Sequence, residues 1–292
     1  KNSRDAVWRR AMTLRTRAAS CAACAVPASS SFTTCQSRRA EGSSGAAMRY
    51  CRLVPSARDA TQPASFTRAD TAALHRTLDA LATAHHGVVG YTVHNLDTGE
   101  RLERRGDETF PTASLIKVPI LVTVYDLVDR KMLSLDDPLT VLKIDKVPGS
   151  GLLQFLHDDA VITVHDAAWL MITISDNTAT NLLLDRIIIR RVWDKMETLG
   201  LPHTKVHSKS FLRSSSVAMD SSAKYGLGVT TPNEMARLFE LLADGKAVNP
   251  AADSAMLDIL AHNENFEKME RFVPGLDIPH KTGETDQVRT EC

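Results

Sequence analysis

The chain has 292 residues, 43% of them hydrophobic and 24% charged, with 35 basic side chains matched by 35 acidic ones. This length and apolar content suffice for a buried core in one or two domains, which excludes disorder of the whole chain. A formal net charge of zero argues against a dedicated nucleic-acid binder, which carries a basic excess.

The zero hides an asymmetry. Residues 1–64 hold eleven basic side chains against three acids, Asp5, Glu41 and Asp59, a net +8, and the remaining 228 residues carry −8. Four of the five cysteines, Cys21, Cys24, Cys35 and Cys51, fall in the same segment, and Cys292 is the last residue. The segment has no apolar run of membrane-spanning length, so no transmembrane segment is expected. Its nearest approach to a signal-peptide core, Ala18–Pro27, is broken by Ser20, and its Arg-rich, acid-poor composition also resembles an organelle transit peptide. Cys21-Ala-Ala-Cys24 with Cys35 and Cys51 is a weak candidate for a zinc or redox cluster, because the spacing is irregular and no strand–helix pattern surrounds it. Residues 1–64 read as a low-complexity basic leader, disordered, ahead of a folded domain over 65–292. The sequence opens on Lys1, so the true start is not visible, and Met48 offers an internal one.

From Phe66 the texture changes. Thr67–His85 places Ala72, Leu74, Leu78, Leu81 and Ala82 at helical spacing, and Gly87–Asn95 is a β-branched run leading into a turn at Asp97–Glu100 and a second strand at Arg101–Arg105. Ser114–Leu133 is a long apolar helix with Pro119 near its start, where one backbone bond is lost. Pro148–Gly151 is a turn, Val164–Ile174 and Asn177–Ile189 read as helices, and Ser208–Gly228 is polar and irregular. Helices follow at Pro232–Ala243 and Ala251–Ala261, then a strand at Ile278–Thr282. One helix, two strands, many helices and a last strand make an α+β order, not the alternation of a doubly wound sheet.

Ser114-Leu-Ile-Lys117 opens the apolar helix, and positions three apart share a helix face, so a hydroxyl and an ammonium can meet there. A serine hydroxyl needs an adjacent base to act as a nucleophile, and a lysine serves only when burial or a neighbouring cation lowers its pKa. Taken alone the pattern is weak, since Ser221-Ser-Ala-Lys224 repeats it. Ser175-Asp-Asn177 follows 61 residues after Ser114 in a polar break between two helices, and His280-Lys-Thr-Gly283 lies on the last strand. Ordered S-x-x-K, S-D-N and K-T-G are the signatures of penicillin-recognising serine enzymes. Plainer roles stay open at each position: Ser114 as a helix N-cap, Ser175-Asp176 as the cap of the next helix, Lys281 as a solvated strand-edge lysine. The ten histidines show no metal-ligand constellation, and no metal or cofactor is called for.

With these motifs, and with Phe110–Lys117, Pro148–Gln154, Leu170–Asn177 and Thr230-Thr-Pro232, residues 66–283 resemble a class A β-lactamase or a close serine-hydrolase relative. The resemblance implies an antiparallel sheet flanked by helices, an all-helical subdomain, and a β-lactam or peptidoglycan-like substrate handled by a monomer outside the cytoplasm, although no convincing signal peptide is visible. It implies that Ser114 forms an acyl-enzyme with Lys117 as base, and that Ser175 relays a proton to the departing nitrogen. Asn177 would bind the substrate or hold Lys117, and Lys281 and Thr282, next to Gly283, would bind its carboxylate. The backbone N–H groups of Ser114 and Glu284 would form the oxyanion hole.

Two departures stand out. The family's deacylation glutamate belongs close to Ser215, counting back from Thr230-Thr-Pro232, yet Leu199–Asn233 contains no glutamate and only one acid, Asp220, a weak substitute. The sequence also stops nine residues after Gly283, where the family continues with two strands and a helix. The sheet is therefore expected to be incomplete, with the strand of Lys281 lacking its ladder partners and Arg289–Cys292 showing no strand pattern. An acyl-trapping, penicillin-binding or peptidoglycan-peptidase-like protein and an inactive truncated homologue are the alternatives to a turning-over hydrolase.

Overall fold

A computed structural model describes residues 68–265, 268–272 and 277–292. The leader 1–64, with its four cysteines, lies outside the described residues. Helix α1 (Arg68–Ala84) precedes the hairpin β1 (Tyr91–His94)–β2 (Arg101–Arg104), whose turn is closed by the Asn95 side chain accepting from the amides of Asp97 and Thr98.

The middle of the chain is helical. Helix α2 (Lys117–Asp129) is buried on nearly every face, from Lys117 through Tyr125 and again at Leu127, as expected for a helix apolar all round. Around it pack α3 (Val164–Thr173), α4 (Asn177–Ile187), α5 (Ile189–Thr198) and α8 (Pro250–Ala261). Pro119 sits in the first turn of α2, where few intrahelical bonds are lost. The sequence pattern runs one helix through Ile189 and gives none between it and Pro232. Ile188 instead adopts φ +69°, which ends α4 and starts α5 in a new direction.

The strands are short. β3 (Phe110–Pro111), β7 (Gly228–Thr230) and β6 (Lys205–Val206) form one antiparallel sheet in that order, and β4 (Pro138–Val141) pairs with β5 (Ala160–Thr163). Within the stretch expected to be irregular lie a 3₁₀ turn at Arg213–Ser215 and the helix α6 (Met219–Tyr225). Helix α7 (Pro232–Ala243), capped by Thr231, packs against β1. The fold is α+β, and among the described residues the sheet is not closed: β1–β2 and β8–β9 stand as separate ladders.

The end of the chain corrects two expectations. The last strands are β8 (Thr282–Glu284) and β9 (Arg289–Glu291), so Arg289–Cys292 does carry a strand and β8 does have a ladder partner. The reversal is a tight turn in which Thr285 and Val288 exchange backbone bonds and the Thr285 hydroxyl accepts from the Gln287 amide. A three-residue strand shows too few alternations to be read from sequence. No described helix is long and apolar enough to cross a membrane.

Candidate active site

Ser114 lies in a 3₁₀ turn, Ala113–Ile116, that runs directly into α2. It is not a cap: Thr112 precedes the turn and Ile116 precedes α2, neither with a side-chain cap bond. Ala113 takes φ +46°, an uncommon conformation for a residue with a Cβ, at the point where the chain turns to present Ser114. One turn later Lys117 is fully buried. Its Nζ donates to Ser175 O at 2.7 Å, Ser175 Oγ at 3.1 Å and Asn177 Oδ1 at 2.9 Å. Burial, and then the charge of Lys281, hold its pKa well below the usual lysine value, with Asp176 opposing.

The break between α3 and α4 supplies the next group. Ser175 takes φ +58°, which turns its side chain toward the two lysines, and Asp176 is the N-cap of α4, accepting from Ala179 N at 2.9 Å. The other Asp176 oxygen accepts from Leu152 N and Leu153 N at 2.7 and 2.9 Å, and only a glycine at 151, with φ +111°, allows the loop to approach it so closely. The capping reading of Ser175-Asp176 therefore holds at Asp176, while the adjacent Ser175 lies within reach of both lysines. Asn177 holds Lys117 through Oδ1 and bonds Pro148 O through Nδ2 at 3.2 Å.

Lys281 is 1% exposed, which excludes a solvated strand-edge role. Its Nζ donates to Ser175 Oγ at 3.2 Å and Thr282 O at 2.9 Å, and burial together with the nearby Lys268 lowers its pKa to about 7. Ser175 Oγ thus accepts from two lysines and keeps its own hydrogen to donate. Gly283 presses on the Ser114 turn: a Cβ there would strike Thr112 O and come within 2.9 Å of Leu115 N. Lys281 exchanges both backbone bonds with Cys292, and Thr285 pairs with Val288. By the alternation of an antiparallel ladder the Glu284 amide faces away from β9, on the edge toward that turn.

Ser114, Asn177 and Glu284 line one cavity of about 580 Å³, with Lys117, Ser175 and Lys281 not among the lining residues. Its far wall is Ser208–Arg213 and Ser222–Leu227. The structure does not bring Asp220 into this lining; it is exposed in the first turn of α6. Ser215 is also outside it, its Oγ donating to Leu212 O at 2.6 Å and accepting from Lys209 N at 2.9 Å. The residue that sequence reasoning missed is Ser210. It lines the cavity, its buried Oγ has no hydrogen-bond partner among the described residues, and Asn181 grips its backbone on both sides, at 2.8 and 3.1 Å. Counting back from Thr230 points instead to Ser215, with the helix α6 lying between the two. Ser221-Ser-Ala-Lys224, set aside as a chance repeat, contributes Ser222 and Lys224 to the same wall.

A serine and a buried lysine one turn apart, a second serine bonded to two lysines and a strand edge beside them define a serine acyl-transfer type of site. The chain belongs to the beta-lactamase enzyme family, whose model matches residues 73–292. It is 27% identical to β-lactamase AER-1 of Aeromonas hydrophila over 64% of this chain and 60% of that protein, so it spans less than two thirds of this relative's length. Among solved structures, a β-lactamase of Sphaerobacter thermophilus is 33% identical with TM-score 0.67, covering 74% of this chain and 81% of the other. PBP-A is 29% identical with TM-score 0.64, covering 73% and 77%.

Proposed function

We propose that the protein is a serine hydrolase that opens a β-lactam amide through an acyl-enzyme on Ser114. The observation that carries this is the burial of Lys117 beside Lys281, which favours the neutral amine that a base needs. Ser114 Oγ attacks the carbonyl carbon and its proton passes to Lys117. Ser175, accepting from both lysines, donates its hydrogen to the departing nitrogen as the amide C–N bond breaks and is reprotonated from Lys117. The amides of Ser114 and Glu284 hold the oxyanion, and the charged form of Lys281 with Thr282 binds the substrate carboxylate. All these groups come from one chain, so a monomer suffices, and the substrates place the protein outside the cytoplasm.

A second reading is favoured by one observation: among the described residues Glu284 is the only carboxylate lining the cavity, and it lies on the strand side rather than on the loop opposite Ser114. The acyl-enzyme then persists for want of a base to activate water, and the chain behaves as an acyl-trapping, penicillin-binding protein. Incubation with a fluorescent penicillin and with nitrocefin separates the two. Labelling with turnover supports hydrolysis, and stable labelling without turnover supports trapping. If Ser114→Ala is labelled as well as the parent, both readings fail.

A further inference from the structure

We propose that the far wall of the cavity contains a subsite for a second anionic group on the acyl side of the substrate, formed by Arg213 and Lys224. The inference rests on the acyl-transfer reading above and names the substrate class: acyl donors whose side chain carries its own carboxylate.

The cavity lining holds three cations, Lys209, Arg213 and Lys224, against one acid, Glu284. Two of these charges are already answered. Lys209 is ion-paired with Asp185, which lies outside the cavity, and Glu284 pairs with Arg289 at 3.0 Å and has Lys268 at 3.9 Å. Among the described residues no carboxylate pairs with Arg213 or Lys224. Both stand on fixed backbone. Arg213 begins the 3₁₀ turn that the Ser215 hydroxyl ties to Leu212 and Lys209. Lys224 lies 4.7 Å over the ring of Tyr225, whose hydroxyl is bonded to Thr109 at 2.8 Å.

The position of this pair sets which part of a substrate it meets. Lys281 and Ser175, which serve the ring carboxylate and the departing nitrogen, do not line the cavity, whereas Ser114 does. The cavity therefore extends from the scissile carbonyl toward the acyl substituent, and the two unanswered cations lie on that side. Both side chains are exposed on that wall, so an anion there gains a salt-sensitive attraction from each, without competing for Lys281.

The test uses benzylpenicillin and carbenicillin, which share a nucleus and differ by one side-chain carboxylate. Titrated calorimetrically into the Ser114→Ala protein at low salt, carbenicillin should bind about tenfold tighter, roughly threefold from each exposed cation. The preference should fall to near unity when Arg213→Gln and Lys224→Gln are added. It should also shrink at high salt in the Ser114→Ala protein itself, a readout that needs no further substitution. Equal affinities, or a preference that survives both substitutions, overturn the subsite while covalent labelling of the parent protein by benzylpenicillin still stands. Failure of both penams to acylate the parent overturns the underlying reading and the subsite together.

Discussion

Two lysines with almost no exposure sit within reach of a single hydroxyl, and among the described residues neither is paired with a carboxylate. Water is the better solvent for an ammonium, so this burial favours the neutral form of each. For Lys117 that is the form needed to accept a proton from Ser114. For Lys281 the charged form is the one that binds a carboxylate, and its pKa of about 7 sets where that charge is lost. Acylation efficiency by a carboxylate-bearing lactam should therefore fall as pH rises through about 7. Lys281→Arg stays charged throughout this range and should remove that alkaline limb in stopped-flow acylation rates. An unchanged limb in the arginine variant would assign the titration to another group.

The site is built from the ends of elements rather than their middles: a 3₁₀ turn entering α2, the break between α3 and α4, and the edge of β8. Gly283 is where β8 touches the Ser114 turn, and its neighbours there are backbone atoms that cannot rotate away. Gly283→Ala should push strand and turn apart, costing about 1–3 kcal/mol in urea unfolding and lowering the acylation rate. Wild-type stability and acylation rate in this variant would contradict that packing. On the facing loop, Ser210 presents an unsatisfied hydroxyl to the cavity from a backbone held by Asn181. Ser210→Glu places a carboxylate there and should speed loss of the acyl group by about 10²–10⁴, the usual range for a general base. Unaltered acyl-enzyme lifetime, read by release of a fluorescent penicillin, would sink that placement. The long helices were legible because their apolar periodicity runs for several turns, as in Pro232–Ala243. The two- and three-residue strands β3, β6, β7 and β9 were not, because pairing partners rather than local pattern decide them. The three motifs were legible as chemistry. Ser210 was not, because an irregular loop has no period from which to count.

At the scale of the molecule, the neutral total charge is a sum of +8 over residues 1–64 and −8 over residues 65–292, and the candidate site residues described above all fall in the second stretch. Ser114, Ser175 and Lys281 are separated by 61 and 106 residues, and the fold brings them together around one buried helix. The α+β order and the incomplete sheet could both be read from the chain, but which strands pair could be seen only once the ladders were assigned. The central claim is that this convergence makes Ser114 an acylation site. Peptide mapping by mass spectrometry after incubation with benzylpenicillin tests it most directly. One equivalent of penicilloyl adduct is expected on the peptide that carries Ser114, and none after Lys117→Ala within the same time. An adduct confined to any other peptide, or no adduct on folded protein, would contradict it.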